Sequence, residues 1–269
     1  MRCAESAGRQ FMPEYSQITK PKMKGFEMSQ ELLMHTADGK YATLEELREI
    51  TMPEETNTYK PVSHYDLATN LAEVSGTLLR DYELERSQYG LARDGAQLFG
   101  VHTYRNGSDS MGLSIGFRNS YDKSMSVGIA IGASVFVCDN LALTGEISIA
   151  RKHTSNVWQD LEELSITTIY RSQNNFTRIV EDSQIMQSQH LSDDDAYRLT
   201  GLMYGHGIIS PRQIPIVKKE WLTPSHDDFE DRNVWSFYNA VTEALKGSPP
   251  NKIMERHIAL HQLLTPGRN

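Results

Sequence analysis

Between Ser110 and Ala150 large apolar residues alternate with residues that have almost no side chain. Val127, Ile129, Ile131, Ala133, Val135 and Val137 enclose Gly128, Ala130, Gly132 and Ser134. Met111, Leu113, Ile115 and Phe117 are interleaved in the same way with Ser110, Gly112, Ser114 and Gly116. Successive side chains leave a strand on opposite faces, so this period of two describes a sheet with one apolar face and one smooth face. A smooth face lets a helix, a second subunit or a nucleic-acid strand come close to the backbone.

Four strands are expected: Ala96–Tyr104, Ser110–Arg118, Ser124–Cys138 and Leu141–Arg151. Turns fall at Asn106-Gly107-Ser108-Asp109, Ser120-Tyr121-Asp122-Lys123 and Asp139-Asn140, where Asn, Asp, Ser and Gly favour reversal. Such short connections imply an antiparallel meander. Keeping odd positions opposite odd positions requires an odd-length loop around Tyr121, of three or five residues.

Helical periodicity flanks this region. The pair Thr43 and Glu46 predicts a capping box for a short helix to Ile50. Leu67, Leu71, Val74, Leu78 and Leu79 predict a helix over His64–Arg86. Further helices are expected at Asn156–Gln189, from Ser192, at Ser210–Lys219, at Asn233–Lys246 and at Lys252–Leu264. Asp193-Asp194-Asp195 reads as a first turn capped by Ser192. The expectation is an α+β fold, a four-stranded antiparallel meander packed by helices. Residues 1–60 form an extension, 61–190 the core and 191–269 a helical region.

The 269 residues suffice for a sizeable core, and 39% apolar with 23% charged residues is a globular composition. Cys3 and Cys138 make no disulfide framework and read as reduced thiols. Met1–Gln10 lacks the apolar run of a signal peptide, and Ser124–Cys138 is too short to span a bilayer. A cytoplasmic protein with no membrane contact is expected. Net charge is −8, which argues against a generic DNA-coating cation, but residues 87–155 carry +1 while both flanks are acidic. A polyanion would meet the sheet region.

Arg93, Arg105, Arg118, Lys123, Arg151 and Lys152 lie in or beside the sheet, interleaved with Tyr104, Tyr121 and His153. Cations neutralise phosphates and tyrosines stack on exposed bases, so these residues are the candidate nucleic-acid contacts. The competing reading makes them the rim of a sheet covered by its own helices. No phosphate-cradling glycine loop and no H-E-x-x-H occurs, and no cofactor is expected. Weaker chemistry-bearing sets are His257 with His261, His226-Asp227-Asp228, and the sheet carboxylates Asp109, Asp122, Asp139 and Glu146. Asp193–Lys219 offers a helix-turn-helix alternative, crowded by Pro211 and Pro215.

Four segments together carry a family resemblance: Phe117–Ser124, Val135–Leu141, Arg151–Thr154 and Val234–Ala244. They resemble, in order, the turn, the "RVVCxNTL" strand end, the "RHT" and the "W-x-x-(Y/F)-N-A-(V/I)-T-E" helix of the phage and plasmid family known as domain of unknown function 932. Phe136 and Asp139 stand where Val and Gln are common there. The resemblance covers about residues 62–246 and implies a bacteriophage or mobile-element origin. The order helix, meander, long helix is also similar to single-strand annealing proteins, a likeness of element order alone. The functional expectation is a non-catalytic, homo-oligomeric protein that binds and anneals single-stranded DNA. The alternative is a phage protein that binds and redirects a host factor.

Overall fold

The computed structural model describes residues 39–107, 110–138, 140–151 and 157–265, with backbone alone for 144–151. Within them six strands and seven helices follow the order β1 (Lys40–Ala42), α1 (Leu44–Glu49), α2 (His64–Leu78), β2 (Glu83–Ala92), β3 (Gln97–Arg105), β4 (Met111–Ser120), β5 (Val127–Val135), β6 (Asn140–Arg151), α3 (Val157–Ser188), α4 (Asp193–Gly205), α5 (Ile214–Leu222), α6 (Val234–Leu245) and α7 (Pro250–Leu264). The strands form one antiparallel sheet in sequence order, a six-stranded meander. The fold is α+β, and the expectation of four strands is corrected to six.

The additional strands are β1, three residues long, and β2, which has a physical reason for escaping the alternation. Of β2, only Tyr89, Gly90 and Leu91 pair with β1, and its first three residues are exposed. Solvent on both sides lets Glu83, Glu85 and Arg86 replace an apolar alternation, and a register shift between Leu84 and Arg86 breaks the period. The helical pattern of α2 therefore seems to run on in sequence, whereas the helix ends at Leu78 and turns at Leu79–Tyr82. In the β4–β5 hairpin, Arg118 pairs with Gly128 and Phe117 with Ile129, so odd faces odd as expected. Its loop is longer than three or five residues because residues 119–127 lie between the last pair.

One sheet face carries the main core. Tyr89, Leu91, Leu113, Ile115, Phe117, Ile129 and Ile131 pack there with α2, α3 and α6. The other carries a smaller cluster, in which Phe99, Val101, Ala130, Leu141 and Leu143 meet Ile253, Met254 and Ile258 of α7. Helices expected in a separate C-terminal region thus supply cover for both faces. The local start sites hold as read. Thr43 N donates to Glu46 Oε2 at 2.7 Å while Glu46 N donates to Thr43 Oγ1 at 3.2 Å. Ser192 Oγ likewise accepts from Asp195 N at 3.2 Å, which makes the acidic run a helix cap.

Candidate functional site

The smooth face is filled by the chain itself. Leu143 leans over Gly116 and Gly132, and Phe136 over Gly112. A Cβ at Gly132 would lie 2.6 Å from Leu143 Cδ2 and closer still to the Ala142 carbonyl oxygen. Arg118 points into the seam with α7, is 6% exposed, and its Nη1 donates to Glu255 Oε1 at 2.6 Å. Tyr104 faces the other core at 2% exposure, where burial pushes its hydroxyl pKa up to about 12. A stacking platform needs an open ring face and a phosphate clamp needs an open guanidinium. In this arrangement Tyr104 and Arg118 serve packing.

The remaining candidates divide between the two ends of the sheet. Arg105 lies at the end away from the β4–β5 turn, its Nε 3.2 Å from Glu85 and its guanidinium stacked 3.7 Å over the Phe136 ring. Arg93 and Lys123 lie at the opposite end, in adjacent loops. The backbone of Arg151 reaches that same end, because Arg151 pairs with Val127 at the start of β5. Lys152 and His153 lie outside the described residues. Three of the cationic candidates therefore share one edge with Tyr121, ordered across the sheet as Arg93 in the β2–β3 loop, Lys123 in the β4–β5 loop and Arg151 at the end of β6.

That edge is braced. Arg93, Asp94 and Lys123 all have positive φ (51°, 54° and 60°), a conformation few side chains adopt without support. Asp122 supplies it. Its carboxylate accepts from Gln97 Nε2 at 3.0 Å and Ser124 N at 3.0 Å, and lies 3.6 Å from Arg93 Nη1. Burial raises the Asp122 pKa, but these hydrogen bonds and the guanidinium outweigh it and hold the carboxyl below its ordinary value. Tyr121 is stacked on His64 at 3.9 Å with the rings 5° from parallel, and its hydroxyl accepts from His64 N at 2.9 Å. His64 is itself tied to Gly95 O (3.1 Å) and Asn119 Nδ2 (2.9 Å), so one side of the Tyr121 ring is already occupied. Lys123 Nζ sits 4.4 Å over the Tyr59 ring, a residue the sequence reading did not select. The Arg93 side chain is 64% exposed, and its ion pair is of the solvent-screened kind that contributes little.

A second polar constellation lies where two of the family-like segments meet. Asn140 Nδ2 donates to Asn239 O and Oδ1, both at 3.2 Å, and Lys246 Nζ donates to Cys138 O at 2.9 Å while pairing with Glu243 at 2.6 Å. Asn239 and Glu243 share one face of α6 with Ser236, and a small cleft runs between them and the Pro224–Phe229 loop. The Cys138 thiol is buried, and its Sγ lies 3.9 Å from Asn239 Oδ1. His257 and His261 do not converge on a shared site. His261 Nε2 bonds Asp182 at 3.1 Å, while burial holds His257 at a pKa of about 4. Among the described residues no group of three His, Cys, Asp or Glu side chains is placed to hold a metal, and no helix is long and apolar enough to cross a membrane.

The Val135–Leu141 strand end and the α6 segment thus interlock, while the Phe117–Ser124 turn forms the opposite end of the sheet. A family model described as Domain of unknown function (DUF932) matches residues 55–260. The chain belongs to this family. No curated protein and no solved structure matches this DUF932 chain. The match begins just before Tyr59 and ends within α7, so it takes in both the braced edge and the Asn140–Asn239 junction.

Proposed function

We propose that this DUF932 protein belongs to phage or mobile-element DNA metabolism, and that it holds single-stranded DNA across the turn end of its sheet and anneals it without covalent chemistry. The observation that carries the reading is the placement of Arg93, Lys123 and the end of β6 along one edge. Neighbouring strands lie about 4.8 Å apart, so a polyanion crossing that edge meets a cation every few strands. Asp122 is engaged by Gln97 and Ser124, which leaves Arg93 able to exchange a weak ion pair for a phosphate at small cost. Tyr121, half-buried, supplies aromatic surface beside the cations.

The test is binding of a labelled single-stranded oligonucleotide across a salt series, with wild type beside Arg93→Ala/Lys123→Ala. Each phosphate contact on a single strand contributes about 0.7 to the slope of log K against log salt, so the double variant should lose about 1.4 from that slope. No binding at low salt, or a variant equal to wild type, overturns the reading. A protein partner is the second reading, favoured by the exposed Tyr197, Leu202 and Tyr204 of α4. It predicts recovery of a host protein after nuclease treatment, undiminished in the Arg93→Ala/Lys123→Ala variant.

A further inference from the structure

Three large apolar residues stand exposed on the otherwise polar outward side of α3. The helix packs its inner side on β4, β5 and β6, with α2 and α6 against it as well. Val157, Leu161, Ile169, Phe176 and Ile179 satisfy those contacts. Trp158, Ile166 and Tyr170 recur at multiples of four residues on another side, and they are 41%, 45% and 79% exposed. A surface helix ordinarily turns charged or polar groups outward along such a line.

Charge along the same helix selects the occupant. Residues 160–163 carry Asp160, Glu162 and Glu163 and no base, while residues 164–180 carry Arg171 and Arg178 and no acid. A second α3 laid parallel sets like charge on like. Laid antiparallel, it sets the acidic first turns of each copy against the arginines of the other.

We infer that two copies of this chain pair antiparallel through the outward side of α3, about a two-fold axis midway between Ile166 and Tyr170. That register places Ile166 against Tyr170 of the second copy, twice over, and forms a four-side-chain apolar centre. It sets Glu163 beside Arg171 of the second copy, on the same edge of the contact, twice over. The contact is isologous, so it closes as a dimer. It needs no part of the DNA reading, and its test is run without DNA.

Light scattering of the purified full chain should give twice the chain mass. Ile166→Glu/Tyr170→Glu should give a single-chain mass with the far-ultraviolet circular dichroism unchanged. Ile185→Glu, an exposed apolar residue near the distal end of α3, should stay dimeric. Glu163→Arg should raise the dimer dissociation constant at least tenfold, and Arg171→Glu added to it should restore pairing. For orientation, in a Cys3→Ser background, Thr167→Cys should oxidise to a linked dimer. Gln159→Cys should link only when mixed with Thr177→Cys. A monomeric wild type, a dimer indifferent to Ile166→Glu/Tyr170→Glu, or self-linking of Gln159→Cys each overturns the inference.

Discussion

The two faces of the sheet are closed by different means. The face under α2, α3 and α6 buries large side chains in a continuous core, with His102 inside it against Tyr89 and Phe117. On the face under α7, β4 and β5 present glycine, alanine and serine, Leu143 and Phe136 cross them, and the Arg118–Glu255 pair seals one side. A face of large residues is held by burial and tolerates adjustment at the cost of lost packing. A face of small residues is held by fit, because a neighbouring side chain occupies the space a Cβ would need. The same alternation that looks open in sequence is closed in three dimensions for that reason.

The comparison can be broken by overfilling the small-residue face. Gly132→Val should cost about 3 kcal/mol or more in urea denaturation, since the obstacle includes the Ala142 backbone and not only a flexible side-chain end. On the large-residue face, Phe117→Ala should cost about 3–5 kcal/mol by cavity formation, whereas Ile258→Ala on the α7 face should cost nearer 2 kcal/mol. Equal losses at Phe117 and Ile258 would show that the two seams are alike.

Acid sharpens the contrast further. Burial holds His102, on the α3 face, and His257, on α7, at pKa values of about 4, well below the 6.5 of an exposed imidazole. Between these values the unfolded chain binds protons that the folded chain excludes. Stability is therefore full above about pH 6.5 and falls as pH drops toward 4, by roughly 3 kcal/mol for each group. His102→Phe and His257→Phe should each remove about half of that pH dependence, measured as the denaturation midpoint at pH 7 and pH 4.5. Next in size, Glu255→Ala should cost about 1 kcal/mol, because it leaves Arg118 buried beside a partner site that is itself 44% exposed. Smallest of all, Arg93→Ala/Lys123→Ala should leave the denaturation midpoint within about 0.5 kcal/mol of wild type. A large loss there would mean that the cations serve the fold.

Much of the fold was legible because it rests on local chemistry. Strict alternation gave four of the six strands, and Thr43–Glu46 and Ser192–Asp195 marked helix starts that the hydrogen bonds bear out. Strand β2 was hidden because solvent on its first half removed the apolar period and its charges continued the pattern of α2. Of the candidate site, composition located the cations but not their burial. Nothing in the sequence distinguishes Arg118, facing α7, from Lys123 five residues later, because the distinction is made by Glu255 at the far end of the chain. Tyr59 went unselected for the same reason: it reaches Lys123 only through folding.

The most direct test of the turn-end account is ultraviolet cross-linking of a single-stranded oligonucleotide to the wild-type protein, with the attached peptides identified by mass spectrometry. The account predicts adducts in the peptides carrying Tyr121 and Arg151. Adducts confined to the Arg105–Phe136 end of the sheet, or to α4 and α5, would contradict it.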